Sequence, residues 1–461
     1  MSKNMKNNEV DAQAIKLRKR QEDLYQQAEK WISPVMPEVL RQLEWFKDQK
    51  LGLMVHWGLY NQLGMKESWP LVDDLDWTKW QFPDKLSNKE VKEIYMQLHK
   101  GMLPLRFDPE EWAEIASNAG FRYLTLTTKH HDGFCMWDTK TTDYKITGSA
   151  CPFHNHKHAD VVKALYNAFR AKDMGIFVYF SRADFACPYY WEEGYLMQDG
   201  TRRVPSYDPA LKPDTWKKFQ AYVRDQLLEL ATEYGKIDCL WFDGGCDGYT
   251  LGLPDITAEI RKIQPWVMSV IRNGGGECED FLTPELFVPD EALKVPWETC
   301  TTMGKPYEEN GHRKYVSFGY SFDQEYMKPI EMVHLLVDII AKGGNLALNI
   351  APQPDGRLPR NAILALEAFG AWMKVFGDAV YGTRAVAPYR TGKFAFTQKG
   401  ERCFAFYLYD ENETAAASYV VPYTGIAHQV RYLRTGQDLA FTQNGNSLVV
   451  TMPRGLHGAA G

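Results

Sequence analysis

The run Lys236-Ile237-Asp238-Cys239-Leu240-Trp241-Phe242-Asp243-Gly244-Gly245 sets a carboxylate directly after three apolar residues. An apolar run that ends on an acid and two glycines reads as a buried parallel strand leaving the core. The glycines permit a tight turn after it. Asp243 then stands at a strand's C-terminal end, where barrel and open α/β enzymes assemble their chemistry. The competing reading is a helix-capping aspartate in a βα loop.

Other predicted strand ends are just as polar. They carry His56-Trp57, His130-His131-Asp132, Tyr179 with Ser181, Arg272-Asn273, Glu298 and Asn349. A ring of donors, acceptors and flat apolar faces suits a polyhydroxylated ligand. One histidine at a strand end is usually structural, whereas two adjacent ones plus a third elsewhere suggest binding, with a metal site as the alternative. Glycosyl transfer to water needs two carboxyl groups across the anomeric carbon, one ionised and one held as a general acid. Asp243 fits the ionised role, because neighbouring histidines and backbone donors favour its charge. Glu285, in Asp280-Phe281-Leu282-Thr283-Pro284-Glu285, and Glu298, in Trp297-Glu298-Thr299-Cys300, are the candidates for the acid. Glu67, in Lys66-Glu67-Ser68-Trp69-Pro70, could bind hydroxyls from the first loop. His154, His156 and His158 would share one face of a strand. Pro152 and Asn155 favour a loop instead, so we expect no metal site there.

The elements that must position these groups alternate along the chain. Strands are predicted at Leu51 to Gly58, Tyr123 to Lys129, Gly175 to Ser181, Lys236 to Asp243, Trp266 to Ile271, Val295 to Cys300 and Asn345 to Ile350. Amphipathic helices lie between most of them, such as Pro109 to Ala119, Ala159 to Ala171 and Trp216 to Tyr234. This pattern predicts an α/β fold with a (β/α)8-like catalytic barrel. An eighth strand has no clear signal. No Gly-rich phosphate loop follows an early strand, which argues against a dinucleotide fold. From about Thr383 short strands and turns take over, predicting a small all-β sandwich. The expected organisation is a helical lead-in over 1–46, the barrel over 47–383 and the sandwich over 384–461, with a frayed tail from Arg454.

Net charge is −6, which points away from nucleic acid and anionic membranes as partners. The eight cysteines contain no CxxC pair and several lie in apolar runs, so they read as free thiols in a reducing compartment. Met1 to Asn8 is polar, without a signal-peptide core, and no apolar run reaches membrane-spanning length. A cytoplasmic location is expected. Homo-oligomerisation is compatible with the composition.

Several segments occur together in a recognisable order. They are Gly52-Leu53-Met54-Val55-His56-Trp57-Gly58, Thr128-Lys129-His130-His131-Asp132-Gly133-Phe134, Trp241-Phe242-Asp243-Gly244, Trp297-Glu298-Thr299-Cys300 and Lys342-Gly343-Gly344-Asn345-Leu346. The chain resembles the α-L-fucosidases of glycoside hydrolase family 29 from about Phe46 to Thr383. The resemblance implies an exo-acting, retaining glycosidase that hydrolyses terminal α-L-fucosyl residues of oligosaccharides or glycoconjugates, with no cofactor. It implies Asp243 as nucleophile, Glu285 as first choice and Glu298 as second for the general acid/base, and His56, His130 and His131 as sugar ligands. Trp57 and Phe134 are expected against the fucose methyl. Glu67 and Trp69 match the family's first-loop Glu-Trp pair, with Ser68 inserted between them. Many relatives carry Asn-Asp-Arg after the fifth strand, where this chain has Arg272-Asn273-Gly274, so the arginine contact falls to Arg272 or is absent. The alternatives are a glycosidase for a galactose-type sugar, a non-catalytic fucose-binding protein and a metal-dependent hydrolase.

Overall fold

Seven strands pair side by side, all parallel: β1 Leu51–Val55, β2 Tyr123–Lys129, β3 Gly175–Ser181, β4 Cys239–Asp243, β5 Met268–Ile271, β6 Glu298–Thr302 and β7 Asn345–Ile350. Their order is β5-β4-β3-β2-β1-β7-β6. The computed structural model describes residues 3–71, 86–192, 204–272, 278–305, 307–309, 312–314, 317–322 and 324–453. Asn273, Gly274 and the tail from Arg454 therefore lie outside the described residues, as do parts of the first and third loops.

The eighth position is filled by a segment that is not a regular strand. Asp280 N–H donates to the Ser269 carbonyl of β5 at 2.9 Å. On the other side, Leu282 N–H reaches the Pro296 carbonyl (3.0 Å), Glu298 N–H the Leu282 carbonyl (2.8 Å) and Leu286 N–H the Cys300 carbonyl (2.9 Å). Pro284 has no N–H to give, and the residues show no alternation, so the segment closes the sheet without the pattern that would announce a strand.

Alternation along the strands sorts side chains into two layers. Inward positions Tyr123, Phe177, Tyr179, Cys239, Trp241, Met268, Val270, Cys300 and Ala347 form the barrel interior. Outward positions such as Leu124, Ile176, Val178, Leu240, Phe242, Leu346 and Leu348 join the helices in the outer core. The helix Pro37–Gln49 plugs the bottom of the barrel, with Phe46 stacked on Phe281 at 4.4 Å and edge-on to Tyr123 at 5.9 Å. A Cβ at Gly52 would lie 2.0 Å from the Tyr123 ring, so only glycine fits beside that tyrosine.

The sixth strand differs from the expectation. It starts at Glu298 instead of ending near it, because Thr299, Thr301 and Thr302 extend the pairing with β7. Glu298 pairs in register with Asn345, the first residue of β7. It therefore sits at the lower end of the barrel and not at the mouth.

After the barrel, antiparallel strands form sheets built from Arg384–Thr391, Phe394–Lys399 and Arg402–Tyr407, and from Ser418–Pro422, Phe441–Asn444 and Ser447–Thr451. The first of these, an edge strand carrying Pro388, has a register shift between Ala385 and Arg390 and lacked a strand pattern. Val337, Ala341, Ala395 and Leu408 pack this unit against the helix Pro329–Ala341. Among the described residues, no helix is long and apolar enough to cross a membrane.

Glu298 is 0% exposed and takes hydrogen bonds from the Tyr123 hydroxyl and from Trp241 Nε1 at 3.2 Å. Burial pushes its carboxyl up to about 7, and those two hydrogen bonds act against the push. The folded protein thus holds a proton that the unfolded chain releases above about pH 4.5. The associated stability is complete at low pH and is lost as pH rises toward 7, by about 3 kcal/mol. Glu298→Gln cannot ionise, so its stability relative to wild type should rise across that interval. Urea unfolding of both proteins from pH 4.5 to 8 measures this. A pH-independent difference would contradict it.

Candidate active site

Asp243 is the last residue of β4 and shares its inward face with Cys239 and Trp241. It is 7% exposed. The Tyr179 hydroxyl donates to Oδ2 at 2.5 Å, and Arg272 Nη1 donates to Oδ1 at 3.0 Å. His131 Nε2 stands 3.6 Å from Oδ2. Burial, reinforced by the Asp243 charge, raises the Tyr179 pKa well above its ordinary value, so the phenol stays a donor. Burial opposes the charge on Arg272, but the Asp243 carboxylate, together with Cys300 and Tyr179, raises the guanidinium's pKa. The second terminal nitrogen of Arg272 donates to the Glu285 carboxylate. One guanidinium therefore holds two carboxylates, one from the end of β4 and one from the eighth segment.

Local chain geometry keeps that fork in place. Gly245 has φ +131°, and a Cβ there would approach the Ala183 nitrogen to 2.5 Å. Arg182, just after β3, donates from Nε to the Asp243 carbonyl (3.1 Å), from Nη1 to the Cys246 carbonyl (2.9 Å) and from Nη2 to the Arg272 carbonyl (3.2 Å). It ties together the ends of β3, β4 and β5. Sequence reasoning passed over Arg182, although a buried arginine directly after a strand is itself a signal.

Histidines line the wall beside Asp243. His56 Nδ1 lies 2.7 Å from Asn349 Oδ1, and Asn349 Nδ2 donates to the Phe318 carbonyl at 2.7 Å. Since the amide oxygen accepts, Nδ1 carries the proton and Nε2 is left as an acceptor. Burial lowers the His56 pKa, which favours this neutral form. His130 Nδ1 lies 2.5 Å from Ser68 Oγ, and Ser68 Oγ accepts from the Asp132 N–H at 3.1 Å. The His130 ring is 5.9 Å from His56 and 4.8 Å from His131.

The first loop explains the inserted serine. Glu67 has φ +45°, an uncommon conformation for a residue with a side chain. Its Oε1 accepts from Ser317 Oγ (2.7 Å), Phe318 N (2.6 Å) and Gly319 N (2.8 Å). That anchorage turns Ser68 inward to His130 and leaves the Trp69 ring 5.2 Å from His131. Trp69 thus lies beside the histidines despite the insertion. Phe318, with its ring 4.9 Å from His56, also belongs here, and nothing in its sequence context pointed to it.

Three expected groups are elsewhere. Trp57 points away from His56, packing at 4.9 Å on Phe107 and 5.1 Å on Trp112 in the outer core. Neighbouring residues of a strand face opposite ways, so His56 inside requires Trp57 outside. Phe134 packs on Tyr144 at 5.2 Å. Glu298 lies below Trp241, as described. The His154, His156 and His158 segment is a short turn in which His154 Nδ1 meets the Cys151 carbonyl at 2.8 Å and His156 Nδ1 accepts from the His158 N–H at 3.2 Å. The Nδ1 atoms of His154 and His156 are thus used within the turn. Among the described residues, His130, His131 and Asp243 bring ligand atoms within 4.8 Å of one another. The Arg272 charge on Asp243 opposes a cation there, so these three read as hydrogen-bonding groups.

Comparison with known proteins gives the chain's family. Residues 20–378 match the family model described as alpha-L-fucosidase. The tissue alpha-L-fucosidase of Macaca fascicularis is 25% identical over 429 residues, covering 89% of this chain and 84% of that protein. The human tissue alpha-L-fucosidase is 24% identical, covering 89% and 85%. The solved structure of Thermotoga maritima alpha-fucosidase in complex with a mechanism-based inhibitor superposes with a TM-score of 0.73 at 26% identity, covering 92% of this chain and 97% of that one. Alpha-L-fucosidase isoenzyme 1 from Paenibacillus thiaminolyticus gives 0.72 at 26%, covering 91% and 96%. The chain belongs to the α-L-fucosidase family, glycoside hydrolase family 29.

Proposed function

We propose that this protein is an exo-acting, retaining α-L-fucosidase that releases terminal fucose from oligosaccharides or glycoconjugates. The observation that carries this reading is the Arg272 fork between Asp243 and Glu285. One guanidinium contacts both carboxylates and so sets them at one mouth, and a retaining mechanism uses such a pair facing a single sugar ring. Glu298 is separated from Asp243 by the Trp241 layer, which favours Glu285 as the acid/base. The substrate class follows from family membership and from relatives such as the Thermotoga maritima enzyme, which was solved in complex with fucose.

In the first step an Asp243 oxygen attacks the anomeric carbon while Glu285 gives a proton to the departing glycosidic oxygen. In its ion pair Glu285 is a carboxylate acceptor. It must leave the fork and take up a proton before this step. Water then attacks the same carbon, with Glu285 accepting its proton, and the two inversions restore the starting configuration. Tyr179 and Arg272 hold the nucleophile and stabilise its charge. His56 Nε2, His130 and His131 receive sugar hydroxyls, and Trp69 and Phe318 offer apolar faces. The burial of His56, His130, His131 and Asp243 at the base of the site supports exo action on a single terminal ring.

Wild type should hydrolyse an aryl α-L-fucoside. Asp243→Gly should lose nearly all activity, and azide should partly restore it with an inverted fucosyl azide as product. No turnover by wild type, with fucose still bound, would favour a binding protein instead. Glu285→Ala should spare aryl fucosides with good leaving groups and fail on poor ones. Should Glu298→Ala show that selectivity instead, the acid assignment is overturned. Tyr179→Phe removes one hydrogen bond to a charged group, so kcat/KM should fall roughly 10- to 100-fold. An unchanged value would remove Tyr179 from the account.

A further inference from the structure

The segment that carries Glu285 is joined to β6 by isolated bridges, with the Leu286 N–H on the Cys300 carbonyl and the Cys300 N–H on the Pro284 carbonyl. It has no regular strand pairing, and Leu286 beside Glu285 has φ +59° and is 44% exposed. What covers it is the N-terminal helix Lys3–Lys30, to which the sequence assigned no chemistry. Arg20 donates to the Glu285 carbonyl, and its guanidinium lies 4.6 Å over the Phe287 ring. Gln21 Nε2 donates to the Val288 carbonyl at 3.0 Å, while its Oε1 accepts from Asp290 N–H at 3.2 Å. Tyr25 Oη accepts from Glu291 N–H at 3.0 Å. Just past the helix, Trp31 Nε1 donates to the Glu279 carbonyl at 2.8 Å.

These contacts run from one end of the segment to the other. Residues 20, 21, 24 and 25 share one helix face, and Leu24, 4% exposed, pins that face to the core. The rest of the described helix surface is largely polar and exposed. Two arginines thus flank Glu285: Arg272 on its carboxylate and Arg20 on its own carbonyl.

We propose that the N-terminal helix is a clamp that sets the position of Glu285, with Arg20, Gln21 and Tyr25 as positioning residues for protonation of the leaving oxygen. The proposal rests on the reading of Glu285 as the acid/base. A general acid works only within hydrogen-bond reach of the departing oxygen, and a shift of about 1 Å costs on the order of 100-fold. Glu285 must also leave Arg272 during the cycle, so its backbone needs an anchor independent of that ion pair. The bridge to Cys300 holds the inner side of the segment, and the helix holds its outer side.

The test is the dependence of kcat/KM on leaving group in the full-length chain. Aryl α-L-fucosides with good and poor leaving groups are compared for wild type, Arg20→Ala, Arg20→Lys, Gln21→Ala, Glu285→Ala and the Arg20→Ala/Glu285→Ala double variant. Arg20→Ala and Gln21→Ala should lose roughly tenfold or more on the poor leaving group and less than about twofold on the good one. Arg20→Lys, which keeps a donor, should recover part of the loss. The double variant should be no more selective than Glu285→Ala alone. If Glu285→Ala is selective while the helix variants respond equally to both substrates, the clamp is overturned and the acid/base reading stands. If Glu285→Ala itself loses both substrates equally, the acid/base reading falls and takes the clamp with it. A uniform loss in the helix variants, accompanied by a lowered Tm, would mark the helix as a stabilising element only and would overturn the proposal.

Discussion

Two carboxylates about 5 Å apart repel by about 3 kcal/mol at an effective dielectric near 20. Keeping both ionised in a largely buried site needs a cation between them, and Arg272 is that cation. Its side chain is 12% exposed, and its two terminal nitrogens satisfy one acid each. Three parts of the fold have to meet for this to happen: the end of β4, the end of β5 and the irregular eighth segment. The Gly245 turn and the Arg182 side chain bring the first two together, and the N-terminal helix lies over the third. The barrel is thus organised so that one guanidinium can be shared.

Beneath the fork the barrel is filled with aromatic rings, Tyr179 on Trp241 at 5.3 Å and Tyr123 on Phe177 at 4.4 Å. This dry filling strengthens every polar contact above it. Beside the fork the histidines are not loose ligands. Each described hydrogen bond passes to a second group, His56 to Asn349 and His130 to Ser68, and these are in turn held by Phe318 and Asp132. Glu67 holds the Phe318 segment with three donors. The site is therefore shaped before a sugar arrives, which limits the reorganisation that binding must cost.

Most of this was legible where a strand announces itself. The apolar run before Asp243 and the sequence before His130 put those residues at strand C-terminal ends, with a capping role for Asp243 still open from the run alone. Trp57 could have been read correctly from the same rule, since a neighbour of an inward histidine faces outward. Glu298 was harder. The residues before it, Val295-Pro296-Trp297, resemble a strand, whereas the threonines after it form the strand, and that choice decides which end of the barrel the acid occupies. The eighth segment has no alternation to detect, and the helix that clamps it contacts residues 265 to 269 positions away in sequence, which no local pattern encodes. Ser68 was visible as an insertion, but its inward turn depends on the conformation of Glu67.

The claim on which the account turns is that Asp243 becomes covalently bonded to the sugar. A 2-fluorinated fucosyl reagent with a good leaving group slows the second step and lets the intermediate accumulate. Intact-mass measurement followed by peptide sequencing of the labelled protein locates the bond. The account predicts one fucosyl label per chain, on the peptide carrying Asp243. A label on another carboxylate would contradict it, as would the absence of any label together with release of fucose of inverted configuration.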